Sequence, residues 1–365
     1  MQTVKNITSI KYFLDRFETV DHEYAYDVKY HKRAPKTHFH SLPTFVAEFN
    51  NCSVHTLPLL VTEEGHLITE HVWPLVHKYK HKPQKIHNLW DQWTEPTINI
   101  KLPPITKQLN GRDRFVWLPI DEESINNPWH IWIDMISKFR LLEKRGSTLF
   151  SKFIYVLPNS SPYFDKVAKE MFPNLKYYVM PKGEVWHFEH LIVPSMSNRD
   201  DGVTTPHLPS WLRHFKGLFG YKALTSSRKI FVSRENAKTR KLLNAEELLI
   251  ALKGWEIVKL EEMSIKEQFK TFAEATHILA THGAGLINLL WCNKGAKIVE
   301  IQDPNMLHKK VYPLLSHHLG LKHELYLADT IPIAKQAGKK PKGVKRLNDL
   351  INFKINIPDL IRHLD

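Results

Sequence analysis

Residues 277–301, HILATHGAGLINLLWCNKGAKIVEI, constrain this chain more than any other stretch. Ile278–Ala280 is a short apolar run of strand type, and Gly283 and Gly285 permit a tight turn without a Cβ penalty. Leu286, Leu289 and Leu290 follow at helical spacing, and Lys297–Ile301 returns as a second strand. Strand, glycine turn, helix and strand in that order bring the backbone N–H groups of the helix start to the carboxyl edge of a parallel sheet, where anions bind. The turn therefore reads as a diphosphate cradle built from His282, Gly283, Ala284 and Gly285, with His282 able to donate to the diphosphate. The alternative is a glycine turn that only lets a helix pack closely. Two familiar phosphate motifs do not apply. Asn288 stands where the dinucleotide fingerprint has its third glycine, and the unit comes late in the chain; no G-x-x-x-x-G-K-[ST] run occurs.

The length of 365 residues suits about two domains of ordinary size. With 42% hydrophobic and 11% aromatic residues the chain has ample material for a packed core. No apolar run reaches the roughly 18 residues of a membrane span, and the N-terminus lacks the charged-then-apolar order of a signal peptide. Cys52 and Cys292 alone make neither a disulfide framework nor a zinc site. A cytoplasmic setting is the expectation. The net charge of +13, from 51 basic and 38 acidic residues, favours an anionic partner. Its runs, Lys29–His40, His77–His87 and Lys339–Arg346, read as solvated loops that could touch an anionic membrane surface. Aromatics are not interleaved with them as stacking platforms, so no nucleic-acid partner is expected.

Along the chain, Thr44–Phe49, Ser53–Val61 and Gly65–Thr69 predict short β-hairpins. Asn127 and Pro128 mark a helix start, with Trp129, Ile133, Ile136 and Phe139 as its buried face and Gly146 as its stop. His130 and Asp134 stack four apart on it. Alternating strands and helices to Pro194 predict a first α/β unit with a parallel sheet. A short helix around Trp211–Leu218 marks the boundary. From Lys229 to Leu327 five strands alternate with helices, one opened by the capping box Ser264-x-x-Glu267. The expected division is 1–205, a linker helix at 206–226, a Rossmann-like domain at 227–335, and a basic linker with a terminal helix at 336–365 that crosses back to the first domain.

Three motifs in order carry a family likeness: Asn127-Pro-Trp-His130-Ile-Trp-Ile-Asp134, then Ser233-Arg234 through Arg240 and Asn244 to Leu248, then the glycine stretch ending in Val299-Glu300-Ile301. Over roughly residues 120–330 the chain resembles glycosyltransferase family 61. Ala245 and Ile131 depart from the family's pattern, which bears on donor preference. The resemblance implies a GT-B-like α/β fold, two Rossmann-like domains facing a cleft. It also implies an inverting transfer from a nucleotide sugar to a glycan or protein acceptor, with no metal cofactor. Independently, the sequence holds no Asp-x-Asp triplet to place a divalent ion on a diphosphate.

On that likeness Asp134 is the expected general base, with His130 orienting it, touching the acceptor or acting as base itself. The alternative for Asp134 is a surface pair with Lys138. Arg234 and Arg240 are the expected phosphate ligands, or else partners of Glu246 and Glu247. Asn288 is counted with the donor site. Glu300 is expected to accept ribose hydroxyls, or to be a solvated strand end. Asn244 with Glu247 fits a helix cap. A basic nucleic-acid-binding protein, a nicotinamide-dependent oxidoreductase and a non-catalytic transferase relative are the competing readings.

Overall fold

The computed structural model describes residues 2–7, 17–21, 25–28, 37–40, 44–56, 59–68, 97–100, 103–120, 124–144, 152–195, 208–209, 211–213, 227–307, 310–333 and 351–364. The chain divides into two units, Met1–Ala25 with His40–Leu208, and Tyr26–Phe39 with Pro209–Asp365. Both mix helices with parallel strands. No helix among the described residues is long and apolar enough to cross a membrane. The basic runs His77–His87 and Lys339–Arg346 lie outside the described residues, as do Lys29–Lys36, Gly146 and the part of the expected linker helix beyond Arg213.

In the first unit β1 (Thr44–His55) and β2 (Leu59–Val61) pair antiparallel, so the expected piece Ser53–Val61 is divided between two strands. The Asn50-Asn51 pair does not break β1 in two. Asn51 takes a left-handed φ of 48°, which asparagine tolerates, and the ladder keeps one register on either side of it. Four further strands are β3 (Phe115–Trp117), β4 (Ile154–Leu157), β5 (Lys176–Val179) and β6 (Val185–Pro194). They are mutually parallel and lie in the order β5-β4-β3-β6, the order of half a Rossmann sheet. The sheet is nonetheless mixed, because β6 also pairs antiparallel with β1. Aromatics fill this core: Phe115, Trp117 and Phe188 are fully buried.

The helix expected after Asn127 forms as drawn at its start. Asn127 Oδ1 accepts from Trp129 N at 3.0 Å, and Pro128 fills the first position. Its middle does not follow the ordinary repeat: Ile131–Ile136 is π-helical before the α-helix resumes at Ser137–Lys144. All six π-helical side chains are buried, so the apolar face is wider than a 3.6-residue stripe.

The second unit carries five parallel strands: β7 (Arg228–Val232), β8 (Glu256–Val258), β9 (Ala275–Thr281), β10 (Lys297–Gln302) and β11 (Lys322–Leu327). Helices α1 (Ala245–Ala251), α2 (Ile265–Glu274) and α3 (Val311–Leu319) connect them. The capping box at α2 has both of its bonds, Glu267 N to Ser264 Oγ at 3.1 Å and Ser264 N to Glu267 Oε2 at 2.7 Å. α3 ends on Gly320 in the left-handed region, φ 66°. Strand order is β8-β7-β9-β10-β11, which reverses between β7 and β9.

The expected terminal helix, α4 (Ile357–Leu364), packs into the core of this second unit. Leu360 and Leu364 join Phe231, Leu248, Val299 and Tyr326 there. The reason lies in the strand before it: β12 (Asp329–Pro332) and β13 (Ile351–Lys354) pair antiparallel and deliver Phe353 to the same core.

Candidate functional site

Strand order reverses between β7 and β9, and in sheets of this kind ligands bind beyond the carboxyl ends of the strands at such a point. Arg234 follows β7 and His282-Gly283 follows β9. The two meet closely: a Cβ on Gly283 would lie 2.3 Å from Nη1 of Arg234 and 3.1 Å from its Cζ. Gly283 has φ 175°, open to any residue, so it is the approach of the guanidinium that requires glycine. Arg240 joins from the same loop as Arg234 and donates from Nη1 to the His282 carbonyl at 3.0 Å. No carboxylate forms an ion pair with either arginine among the described residues, and Nε of each is buried without a hydrogen-bond partner. Glu246 and Glu247 are exposed and, among the described residues, neither is an ion-pair partner of these arginines. Burial and the charge of Arg240 bring the Arg234 pKa down to about 10, against the opposing pull of Tyr312 and Glu261. Two crowded, unneutralised guanidiniums are what an incoming anion would relieve.

Behind His282 stands a buried relay. His282 Nδ1 contacts Glu300 Oε1, and the other oxygen, Oε2, is 2.9 Å from His323 Nε2. His323 Nδ1 in turn lies 2.7 Å from Ser316 Oγ on α3. Glu300 is wholly buried, so it is no solvated strand end, and each of its oxygens meets an imidazole. Burial pushes its carboxyl up, but the two histidines outweigh burial and hold it at about 2. The Tyr312 ring stands edge-on to His282, centroids 5.3 Å apart, and burial raises its phenol.

Two further expectations change. Ala284–Trp291 is a 3₁₀ helix, not an α-helix, and Asn288 within it is buried. Asn288 Nδ2 donates to Gln268 Oε1 and to the Gly285 carbonyl, both at 3.1 Å, so its amide locks the turn against α2 and is not turned to a ligand. Asn244 stands before α1 without capping it; its Nδ2 donates to the Ile355 carbonyl at 2.9 Å and its Oδ1 accepts from Ile355 N at 3.2 Å. A partner 111 residues away wins over the local cap.

The other sequence-derived pair, His130 and Asp134, belongs to the first unit. His130 Nδ1 is 2.6 Å from Asp134 Oδ2, within the π-helical turn. Such turns recur at functional sites. Asp134 and Lys138 are both buried, which rules out the solvated surface pair. Lys138 Nζ donates to the Pro119 carbonyl at 3.2 Å. Burial drives the Lys138 pKa from 10.5 down to about 7, and Asp134 only partly restores it.

This gives a stability test. Between pH 7 and 10.5 the unfolded chain holds a proton on Lys138 that the folded chain has lost, so stability from this group rises with pH. Lys138→Met removes the cost of the buried charge but leaves the Pro119 carbonyl unpaired, itself a cost of about 1–3 kcal/mol. Net stabilisation of about 1–3 kcal/mol is expected at pH 7, shrinking towards pH 10. Chemical denaturation at the two pH values measures it; a variant less stable at both would refute it.

Tyr312, Ser316 and His323 escaped the sequence reading because each lies in a helix or strand where its polar partner is visible only in three dimensions. Among the described residues no group of three or more His, Cys, Asp or Glu side chains is arranged to hold a metal ion.

Comparison with known proteins bears on the whole arrangement. The family model described as Glycosyltransferase 61 matches residues 64–299. A beta-1,2-xylosyltransferase of Oryza sativa subsp. japonica is 28% identical over 262 residues, covering 64% of this chain and 46% of the rice protein. The chain thus spans about half the length of that curated relative. The matched region holds the arginine loop, the glycine turn and the His130–Asp134 pair, and on it the chain belongs to glycosyltransferase family 61.

Proposed function

We propose that this protein is an inverting glycosyltransferase that moves a sugar from a uridine diphosphate sugar to a hydroxyl of a glycan or protein acceptor, with no metal ion in the step. The arginine pair against Gly283 carries the reading. A leaving diphosphate gathers negative charge, and without a divalent ion protein cations and N–H groups must meet it. Arg234, Arg240 and His282 supply them at the switch point. On this GT-B-like reading of the fold, Asp134 in the first unit takes the acceptor proton as the hydroxyl attacks the anomeric carbon. His130 fixes the carboxylate's orientation. The rice relative's name makes xylose the first sugar to test.

Gly283→Ala tests the donor side. The new Cβ would displace the flexible tip of Arg234, so the fold should bear the change while the phosphate fork is lost. Calorimetry with uridine diphosphate is expected to show a loss of about 10- to 100-fold in affinity, the worth of one charge-assisted hydrogen bond, with or without chelator. Unchanged affinity would show that the cradle is misassigned.

A further inference from the structure

We propose that Glu300 is a positioning residue that holds His282 as a cationic donor to the leaving diphosphate, so that diphosphate binding draws a proton onto His282. The inference rests on the donor-site reading above and assigns Glu300 a role through His282 in place of contact with the nucleotide.

An ionised carboxylate only accepts, so each ring nitrogen touching Glu300 carries a hydrogen. For His323 that nitrogen is Nε2, 2.9 Å from Glu300 Oε2. Its other nitrogen, Nδ1, lies 2.7 Å from the Ser316 hydroxyl, which can donate to it. Both ring nitrogens of His323 are therefore occupied. For His282 the nitrogen on Glu300 is Nδ1, and Gln302 Nε2 lies 3.4 Å from that same atom. In this proposal Nε2 of His282 is the nitrogen that meets the diphosphate. A fully buried carboxylate calls for a compensating charge, and His282 is the ring of the two placed to carry it.

The groups around His282 set when that happens. Glu300 favours the cation. Arg240, bound to the His282 carbonyl, and Arg234, packed on Gly283, oppose it. The Tyr312 ring edge adds a neutral wall. A diphosphate on the arginines cancels their opposition, and the imidazolium then adds its Nε2–H to the donors on the phosphate oxygens. In the transfer itself the sugar C1–oxygen bond breaks, its electron pair stays on the diphosphate, and His282 stabilises that charge without giving up its proton.

The experiment is calorimetry of uridine diphosphate binding to the full chain at pH 7.5, in two buffers of different ionisation enthalpy. The parent is expected to take up a substantial fraction of a proton, beyond any uptake by the ligand, and His282→Gln to show only the ligand's share with affinity lowered about tenfold or more. Glu300→Gln, if it folds, should also lose the uptake while Arg234 stays in place. Uptake equal in the parent and His282→Gln would overturn the relay, as would parent-like uptake in a folded Glu300→Gln. Failure of the parent to bind uridine diphosphate at all would instead overturn the donor-site reading.

Discussion

Asp134→Asn is expected to lower kcat by about 10²- to 10⁴-fold, the range over which a placed general base contributes, and to leave uridine diphosphate affinity unchanged. Asparagine keeps the shape, and its Oδ1 can accept the bond that Asp134 Oδ2 accepts from His130 Nδ1 at 2.6 Å. It cannot take a proton from an attacking hydroxyl. Lys138 also responds: Asp134 is the charge that offsets burial there, so without it the Lys138 pKa moves further down and the neutral amine is favoured. The fold should therefore lose little. Asp134 and the arginine pair lie in different units, so a loss confined to turnover separates the base from the donor site. Initial rates and calorimetry on one preparation measure both, and a kcat within about twofold of the parent would remove Asp134 from the mechanism.

Glu300→Ala acts on stability instead. Its two imidazole partners would be left buried without their acceptor, and breaking a buried pair in this way costs about 3–5 kcal/mol. For a unit of this size that corresponds to a fall of about 10 °C in Tm. The pH dependence carries a signature. The carboxyl sits at about 2 in the folded chain against 4.5 when unperturbed, so its stabilisation is complete above 4.5. That stabilisation, on the order of 3 kcal/mol, is lost as pH falls towards 2. Thermal unfolding from pH 7 to 2.5 should show the parent's advantage over the variant narrowing below 4.5. Parallel curves throughout that range would show that Glu300 is not the group responsible.

The second unit was legible because its strands are buried on both faces and read as apolar runs, such as Ile278–Ala280 and Ile298–Val299, between local stop signals. Gly254, the Ser264 capping box and Gly320 each mark a boundary through their own backbone chemistry. Strand order has no such local mark, so the meeting of Arg234 with Gly283 was visible only as two separate candidates. The burial of Glu300, which rules out the solvated strand end, had an available signal: a carboxylate between Val299 and Ile301 in a doubly covered strand must be buried, and therefore paired. The π-helical turn leaves no trace in composition. Asn244 shows the opposite failure, a valid capping pattern overridden by a distant backbone.

Arg240 has one more dependency. Its φ of 59° is unusual for a residue with a side chain, and its N–H is fastened to the Ile351 carbonyl at 2.6 Å. Lys241 N then takes Asn352 Oδ1 at 3.0 Å, and Leu243 N takes the Phe353 carbonyl at 2.8 Å. The loop bearing the guanidinium is thus hung on a rail supplied by residues 351–355, more than a hundred positions downstream. Damage to that rail would loosen the proposed grip on phosphate without altering any of the residues assigned to it.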